Sequence, residues 1–192
     1  MEGLWISRAC PPDFWKAEGM SADTPRTLVV VRHAKADWPD VPDHERPLAE
    51  RGRLDAPSTG RRLAESGRTV DLALCSTAVR TRETWKLIAP ELPHRPRTVY
   101  EERVYDASLG DLIALVDETP DDVGCLLLVG HNPGMHALAD ALAGGGDAEA
   151  RDRMNRSGFA TSGFAVLTFE GTWKSVEHGT GRLTEFWAPH EG

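Results

Sequence analysis

The sequence contains few cysteines, and they do not stand in a metal-binding pattern. Cys10, Cys75 and Cys125 are far apart in a chain of 192 residues. This spacing matches neither a zinc-ligand motif nor a disulfide framework. Cys75 and Cys125 lie beside apolar runs, where a free thiol behaves as a small hydrophobic side chain. We therefore expect buried, reduced thiols, a cytoplasmic location and no metal ion or other cofactor.

The sequence is also short of positive charge and of long hydrophobic runs. It has 22 basic and 30 acidic residues, which gives a formal net charge of −8. Such a surface repels nucleic acid and anionic membranes, so neither is an expected partner. No apolar run approaches the roughly 20 residues that span a bilayer. An anionic ligand would therefore need a local positive pocket. The sequence does not indicate the oligomeric state.

Residues 1–26 lack the hydrophobic periodicity of the rest of the chain. They lack as well the basic start and continuous apolar stretch of a signal peptide. We expect these residues to form a weakly ordered N-terminal extension. Residues 1–19 either belong to the native protein or result from the choice of an upstream start codon. Docking of this extension through Trp5 and Trp15 is the alternative. Residues 27–192 are expected to form a single domain.

Apolar β-branched runs alternate with helical patterns along most of that domain. This alternation predicts a parallel sheet with helices on both faces. Two or three further strands are expected within 163–187, so the fold class is α/β, a three-layer α/β/α arrangement with a mostly parallel mixed sheet. The glycine-rich stretch 143–154 is expected to be a polar loop. The other predicted strands are 27–31, 71–76, 97–100 and 124–130, and the predicted helices are 48–67, 77–90, 108–119 and 132–144.

Polar side chains follow several of these strands. Arg32 and His33 end the first strand, Ser76 ends the second, and His131 follows the fourth. Arg80 lies one helical turn beyond Ser76. Because ligands of open α/β sheets bind outside the carboxyl ends of the strands, we expect two histidines and two arginines to meet at one edge.

These residue types suit a dianion such as a phosphoryl group. Arginine presents a rigid fork of donors to phosphate oxygens. Asn132 can cap the following helix, and Pro133 suits its first position, so the helix start would add free N–H groups. A histidine there either donates to the anion or attacks phosphorus, and attack requires one bare ring nitrogen and one N–H tied to a carbonyl or carboxylate.

Departure of the leaving group needs a proton, so a carboxylic acid should lie nearby. The acidic loop 101–106 is the candidate cluster, because it follows the third strand to the same edge. Its members Glu101, Glu102 and Asp106 remain alternatives on spacing alone.

Four motifs, VVVRHA, RPLAERG, STAVRTRET and VGHNPG, in this order resemble the histidine phosphatase (phosphoglycerate mutase-like) superfamily. Within it they are most similar to the short bacterial branch of SixA-type phosphohistidine phosphatases. The resemblance covers roughly residues 27–187 and implies a phosphoglycerate mutase-like fold. It implies that His33 is the phosphorylated nucleophile, that Arg32 and Arg80 bind phosphate, and that His131 stabilises the transferring group.

The resemblance implies further roles around this core. It favours Glu102 as general acid and places Arg46 at the pocket rim, with Ser76 and Asn132 as further substrate-binding residues. The sequence departs from the family at Ala34, where glycine is usual. Alanine disfavours some backbone conformations that glycine tolerates, although Arg-His-Ala-Lys also resembles the SixA-type branch.

The expected function is a metal-independent phosphatase that works through a phosphohistidine intermediate. The 97–100 and 124–130 strands are separated by one helix, with no long insertion to cover the pocket. An open pocket suits phosphohistidine or another phosphorylated protein side chain. The alternatives are a broad-specificity phosphatase for small phosphoesters and a non-catalytic phosphate-binding module.

Overall fold

The strands form one mixed sheet in the computed structural model, which describes residues 25–190. Its strand order is β3-β2-β4-β1-β6-β7-β5. The first four strands are mutually parallel, β6 runs antiparallel to both β1 and β7, and β5 is parallel to β7. The predicted mostly parallel mixed sheet is confirmed. The strands are β1 (Arg26–Arg32), β2 (Leu72–Ser76), β3 (Arg97–Glu101), β4 (Cys125–Gly130), β5 (Ala143–Gly146), β6 (Phe164–Phe169) and β7 (Gly181–Trp187).

Helices cover both faces of this sheet and complete the three layers. Along β1, Val29 and Val31 pack into a cluster with side chains of α1 and α2. Leu28 and Val30 point the other way, into a cluster with side chains of α3, α4 and α5. The alternation follows from the two-residue period of a strand. The helices are α1 (Glu50–Glu65), α2 (Val79–Ile88), α3 (Leu109–Asp117), α4 (Gly134–Leu142) and α5 (Ala148–Ser157).

The central strands β1 and β4 are apolar in their middle, LVVV in β1 and LLLV in β4, because both of their faces are buried there. Their parallel register places Arg32 opposite Gly130. The residues after this pair, His33 and His131, therefore leave the sheet at the same level. The amide of His33 continues the ladder by donating to the carbonyl of Gly130 over 3.0 Å.

The stretch 143–154 is not the polar loop that the sequence predicted. It contains β5 and most of α5, whose N-terminus is capped by Asp147 accepting from the amides of Glu149 and Ala150. The glycines allow β5 to pack closely against its neighbour β7, because a Cβ at Gly146 would overlap the carbonyl of Leu183. Glycine-rich sequence is typical of a loop, but here tertiary packing against β7 makes it an edge strand.

The predicted N-terminal extension, residues 1–26, lies outside the described residues except for Pro25 and Arg26. Arg26 belongs to β1 rather than to an extension: its guanidinium is buried and Nη1 donates to the carbonyl of Val123 over 3.0 Å. Between residues 25 and 190, no helix has both the length and the apolar character needed to cross a membrane.

Candidate active site

His33 and His131 lie side by side at the carboxyl edge of the sheet. Their ring centroids are 5.1 Å apart and the ring planes meet at 55°. His33 follows β1 and His131 follows β4, so the register of these two strands sets the distance. The structure thus brings together the two histidines that the strand ends were expected to deliver.

The ring of His33 has a defined tautomer. Its Nδ1 lies 2.7 Å from the carbonyl oxygen of Ala34. A carbonyl oxygen only accepts, so Nδ1 carries the hydrogen and Nε2 keeps a free lone pair. Burial, aided by the charges of Arg80, Arg32 and Arg46 and opposed by the Ala34 hydrogen bond, lowers the pKa of His33 to about 4. The ring is therefore neutral near neutral pH.

His131 is held by the second strand. Its Nε2 lies 2.8 Å from Oγ of Ser76, the last residue of β2. Its Nδ1 is buried and has no hydrogen-bond partner among residues 25–190. Burial, followed by the proximity of His33 and Arg80, lowers the pKa of His131 to about 3. Two neutral imidazoles therefore face this edge.

Arg32 and Asn132 share an anchor in the loop after α5. Nη1 of Arg32 donates to the carbonyl of Phe159 over 2.8 Å, while its Nε is buried without a partner in the part of the chain that is described. The side-chain amide of Asn132 donates to the carbonyls of Gly158, at 2.8 Å, and Phe159, at 3.2 Å. The predicted cap is wrong, because Pro133 is the N-cap of α4 and no side chain caps that end.

Arg80 is the most buried of the arginines that were predicted to bind phosphate, with 6% of its surface exposed. It projects from the first turn of α2 and donates to Asp43 through both terminal nitrogens. Asp43 also accepts from Arg46 and from the hydroxyl of Tyr105. Arg46 is buried as well, and its guanidinium stacks 3.2 Å from the ring centroid of the exposed Trp38.

The sequence analysis assigns no role to three residues of this site. Asp43 and His44 lie in a 3-10 turn, Asp43–Glu45, between β1 and α1. The third, Tyr105, contacts the rings of both His44 and His131, with centroid distances of 4.8 and 5.4 Å. Tyr105 belongs to the acidic loop, in which only carboxylates were considered. The one sequence signal for Asp43 is its place three residues before Arg46.

A cavity of about 270 Å³ opens beside His131. Asp106 lines it, while Glu102 does not. Glu102 is exposed, and Glu101 turns away to pair with Arg103. The carboxylates in the cavity wall are thus those of Asp43 and Asp106. The complete lining is Asp43, Arg80, Val104, Tyr105, Asp106, Ala107, Leu112, His131, Asn132, Pro133, Gly134 and Met135.

Ala34 fits its position without strain. It is fully buried and is not among the described residues that adopt a positive φ. Its amide donates to Oγ1 of Thr84 over 3.0 Å, and that hydroxyl donates to the carbonyl of Arg80 over 2.7 Å. Thr84 therefore ties the loop after β1 to the helix that carries Arg80.

Two other features of the described residues, 25–190, bear on the choice of site. They contain no group of three or more side chains arranged to hold a metal ion. A larger hollow, of about 510 Å³, lies between α2 and β3, and neither a histidine nor a carboxylate lines it. The side chains of residues 25–190 that could take part in catalysis therefore concentrate at the edge that carries His33 and His131.

The family sequence model of the histidine phosphatase superfamily (branch 1) matches residues 28–122 of this chain. An uncharacterized protein of Mycobacterium tuberculosis (strain ATCC 25618 / H37Rv) is 42% identical over 162 residues, which cover 83% of this chain and 99% of the relative.

Solved structures share the fold. A protein of Nakamurella multipartitia assigned as the phosphohistidine phosphatase SixA superposes with a TM-score of 0.73 and 30% identity, covering 86% of this chain and 97% of that one. A protein of Agrobacterium tumefaciens with the same assignment gives 0.72 and 32%, covering 86% and 99%. A SixA complex with tungstate gives 0.69, at 20% identity and 85% and 97% coverage, and so shows the fold alone.

Proposed function

The chain belongs to the histidine phosphatase superfamily, which supports phosphatase activity, and on this premise we propose that His33 is its nucleophile and that phosphohistidine in proteins is its substrate. One observation carries the proposal. The carbonyl of Ala34 accepts a hydrogen bond from Nδ1–H of His33, so the lone pair of Nε2 is free beside a second neutral imidazole. A nucleophile for phosphorus needs this state.

Binding of the phosphoryl group is assigned to Arg32, Arg80 and His131. The guanidinium of Arg32 has a buried Nε with no partner among the described residues, and that of Arg80 uses only two of its five N–H groups. Both side chains are guanidinium cations, so they would stabilise the charge on the transferring oxygens. This local positive charge would attract an anionic substrate although the chain as a whole carries a net charge of −8.

The reaction has two displacements. Nε2 of His33 attacks phosphorus while the bond from phosphorus to the leaving atom breaks, which leaves the phosphoryl group on His33. Water then attacks phosphorus, the P–N bond to His33 breaks, and inorganic phosphate departs with the proton of the water passing to phosphate or solvent. His33 returns to the neutral Nδ1–H tautomer that the Ala34 carbonyl favours. No metal or cofactor is required.

The charges in the cavity wall favour a phosphohistidine substrate. The Tyr105, Arg46 and Arg80 hydrogen bonds hold the pKa of Asp43 well below its usual range, so this carboxylate is a poor proton donor. An alkoxide leaving group needs a general acid. By contrast, a phosphorylated imidazole with a proton on its other nitrogen leaves as neutral imidazole without one. The site therefore suits a substrate whose leaving group departs without a proton from Asp43.

A general acid, if the reaction uses one, is better assigned to Asp106 than to Glu102. Both belong to the acidic loop after β3, but Asp106 lines the cavity and Glu102 does not. Arg46, Ser76 and Asn132 are assigned supporting roles. Ser76 positions His131, Asn132 anchors the loop that also holds Arg32, and Arg46 binds Asp43.

Trapping the intermediate tests the proposal. The protein is incubated with a ³²P-phosphohistidine protein, quenched in base and split into acid- and base-treated samples. We expect a base-stable, acid-labile label on the wild-type protein and none on His33→Ala. The matched control His94→Ala removes an exposed histidine from the loop before β3 and should label normally. Absence of label from wild-type protein that still binds phosphate would leave a non-catalytic binding module.

Substrate class needs a second measurement, because a phosphatase for small phosphoesters would use the same nucleophile. kcat/KM is compared for a phosphohistidine protein and for sugar and nucleotide monophosphates, in the presence of EDTA. We expect the phosphohistidine value to exceed the others by at least about tenfold. Equal or higher values for a phosphoester would assign the protein to the small-molecule class. Loss of activity in EDTA would contradict a metal-independent reaction.

A further inference from the structure

Asp43 is the acceptor around which the cationic side of the site is assembled. Nη1 of Arg80 donates to its backbone carbonyl over 2.6 Å, and Nη2 of Arg80 donates to Oδ2 over 2.9 Å. Oδ2 also accepts from the hydroxyl of Tyr105 over 2.8 Å, while Oδ1 accepts from Arg46 over 2.9 Å. One residue thus fixes the directions of two guanidiniums and one phenol.

Arg80 has no other fixed acceptor for its side chain in the part of the chain that is described. Its guanidinium could otherwise rotate about several single bonds, which costs entropy when a ligand orders it. Two contacts to one residue determine both the position and the plane of the fork. They use two of five donors, so three N–H groups remain for a phosphoryl oxygen. The contacts therefore orient Arg80 without occupying it.

The charges agree with this arrangement. Asp43 is half exposed, with 52% of its side-chain surface accessible, whereas the side chain of Arg80 has only 7%. Its carboxylate is anionic because the Tyr105, Arg46 and Arg80 hydrogen bonds lower its pKa. Two guanidiniums share this single negative charge, so a net positive charge remains for the substrate. The carboxylate lies in the cavity wall next to Arg80 and His131.

We propose that Asp43 is a positioning residue that holds the Arg80 guanidinium in its phosphate-binding orientation. The inference rests on the proposed function, since it assumes that Arg80 binds the phosphoryl group. It adds a residue outside the four motifs on which that function was based. In the opposite role, Asp43 would be an internal competitor of the substrate: its carboxylate would occupy Arg80 until the phosphoryl group displaces it.

Asp43→Asn separates the two roles by the sign of its effect. The amide keeps the size of the side chain but loses the charge, and it presents an NH₂ group to at least one of its donors. For a positioning residue we expect kcat/KM to fall about 10- to 100-fold, with weaker inhibition by tungstate and inorganic phosphate. If Asp43 is instead a competitor, Asp43→Asn should be inhibited more tightly by tungstate and phosphate and should have an unchanged or higher kcat/KM. That result would overturn the proposal.

The matched control is Asp40→Asn, an exposed aspartate three residues earlier in the same loop. It removes the same charge from the chain without touching Arg80, and we expect wild-type kinetics. An equal loss in both variants would mean that the general field of the loop matters rather than the contact, and would also overturn the proposal. Thermal unfolding of each variant checks that the fold is retained.

A double-mutant cycle tests whether Asp43 acts through Arg80. Asp43→Asn is measured in wild-type protein and in Arg80→Ala, with tungstate affinity and kcat/KM as readouts. We expect the effect of Asp43→Asn to shrink to less than about twofold when Arg80 is absent. A full effect in the Arg80→Ala background would show that Asp43 acts elsewhere. A purely structural role of Asp43 predicts additive effects.

Failure of this inference and failure of the proposed function give different results. If His33 is not labelled in the wild-type protein, the proposed function fails whatever Asp43 does. If His33 is labelled and Asp43→Asn behaves as Asp40→Asn does, only the inference fails. Tungstate affinity is measurable in both cases, because it needs the anion pocket and not turnover.

Discussion

Nδ1 of His33 donates a hydrogen bond to the carbonyl oxygen of Ala34, its own neighbour in sequence, over 2.7 Å. The acceptor is backbone, so the ring is oriented by the course of the chain after β1 and not by a carboxylate partner. Among residues 25–190, no carboxylate is hydrogen-bonded to the ring to stabilise its protonated form. Burial and three nearby arginines then favour the neutral form, which is the nucleophilic one.

This environment predicts an unusual titration of His33. An ordinary histidine takes up a proton near pH 6.5, whereas His33 should remain neutral with hydrogen on Nδ1 until about pH 4. Two-dimensional ¹H–¹⁵N spectra of the imidazoles at pH 7.5 to 4.5, assigned with His33→Gln, measure this directly. Protonation of the His33 ring with a midpoint near 6.5 would contradict the buried, cation-flanked environment described above.

The same shift predicts how stability depends on pH. Between about pH 6.5 and 4, the unfolded chain binds a proton on this ring and the folded chain does not. Falling pH therefore stabilises the unfolded state relative to the folded one. The free energy of unfolding is measured by urea titration at pH 6.5 and at pH 4.5. We expect it to fall less in His33→Gln than in the wild type, and the difference between the two falls to be on the order of 2 kcal/mol.

The control for this measurement is His94→Gln, which removes an exposed histidine from the loop before β3. Its pH dependence should match that of the wild type. Equal slopes for all three proteins would show that His33 titrates alike in the folded and unfolded chains.

The sequence predicted the parts of the site that strands deliver. Arg32, His33 and His131 directly follow apolar runs, and parallel strands end at one edge. Strand direction predicts that they share an edge, whereas the 5.1 Å approach of the two rings depends also on the pairing of β1 with β4. Ser76 was found in the same way, because it ends the strand beside β4.

Residues delivered by loops could not be predicted in this manner. Asp43 reaches Arg80 across 37 positions through a 3-10 turn whose path no periodicity encodes. The acidic loop offered three carboxylates, and their directions depend on local pairs such as Glu101 with Arg103. β5 could not be predicted for a related reason. Its glycines allow close packing against a segment that is distant in sequence, and the local sequence does not indicate that contact.

Gly52 connects the helix α1 to the segment that carries the nucleophile. It lies in the first turn of α1, and a Cβ on it would overlap the carbonyl oxygen of Lys35, two residues after His33. That carbonyl accepts from the amide of Ala49 over 2.9 Å, at the start of the helix. Backbone therefore meets backbone here, and a flexible side chain cannot move aside to make room.

We accordingly expect Gly52→Ala to destabilise the protein although alanine is the better helix former. The propensity gain is at most about 1 kcal/mol, whereas forced separation of two packed backbones costs about 1–3 kcal/mol. Because the displaced segment begins two residues after His33, phosphatase activity should fall as well. Urea unfolding and kcat/KM measure the two effects.

Gly110→Ala is the matched control, since it adds the same methyl group to the first turn of another helix, α3. There the nearest atom to the new Cβ is the hydroxyl of Ser108, 3.8 Å away, so nothing has to move. We expect unchanged activity and a gain of a few tenths to about 1 kcal/mol from the lower backbone entropy of the unfolded chain. The two substitutions should thus change stability in opposite directions. If Gly52→Ala is instead as stable and active as Gly110→Ala, the contact between α1 and Lys35 does not constrain the loop of the nucleophile.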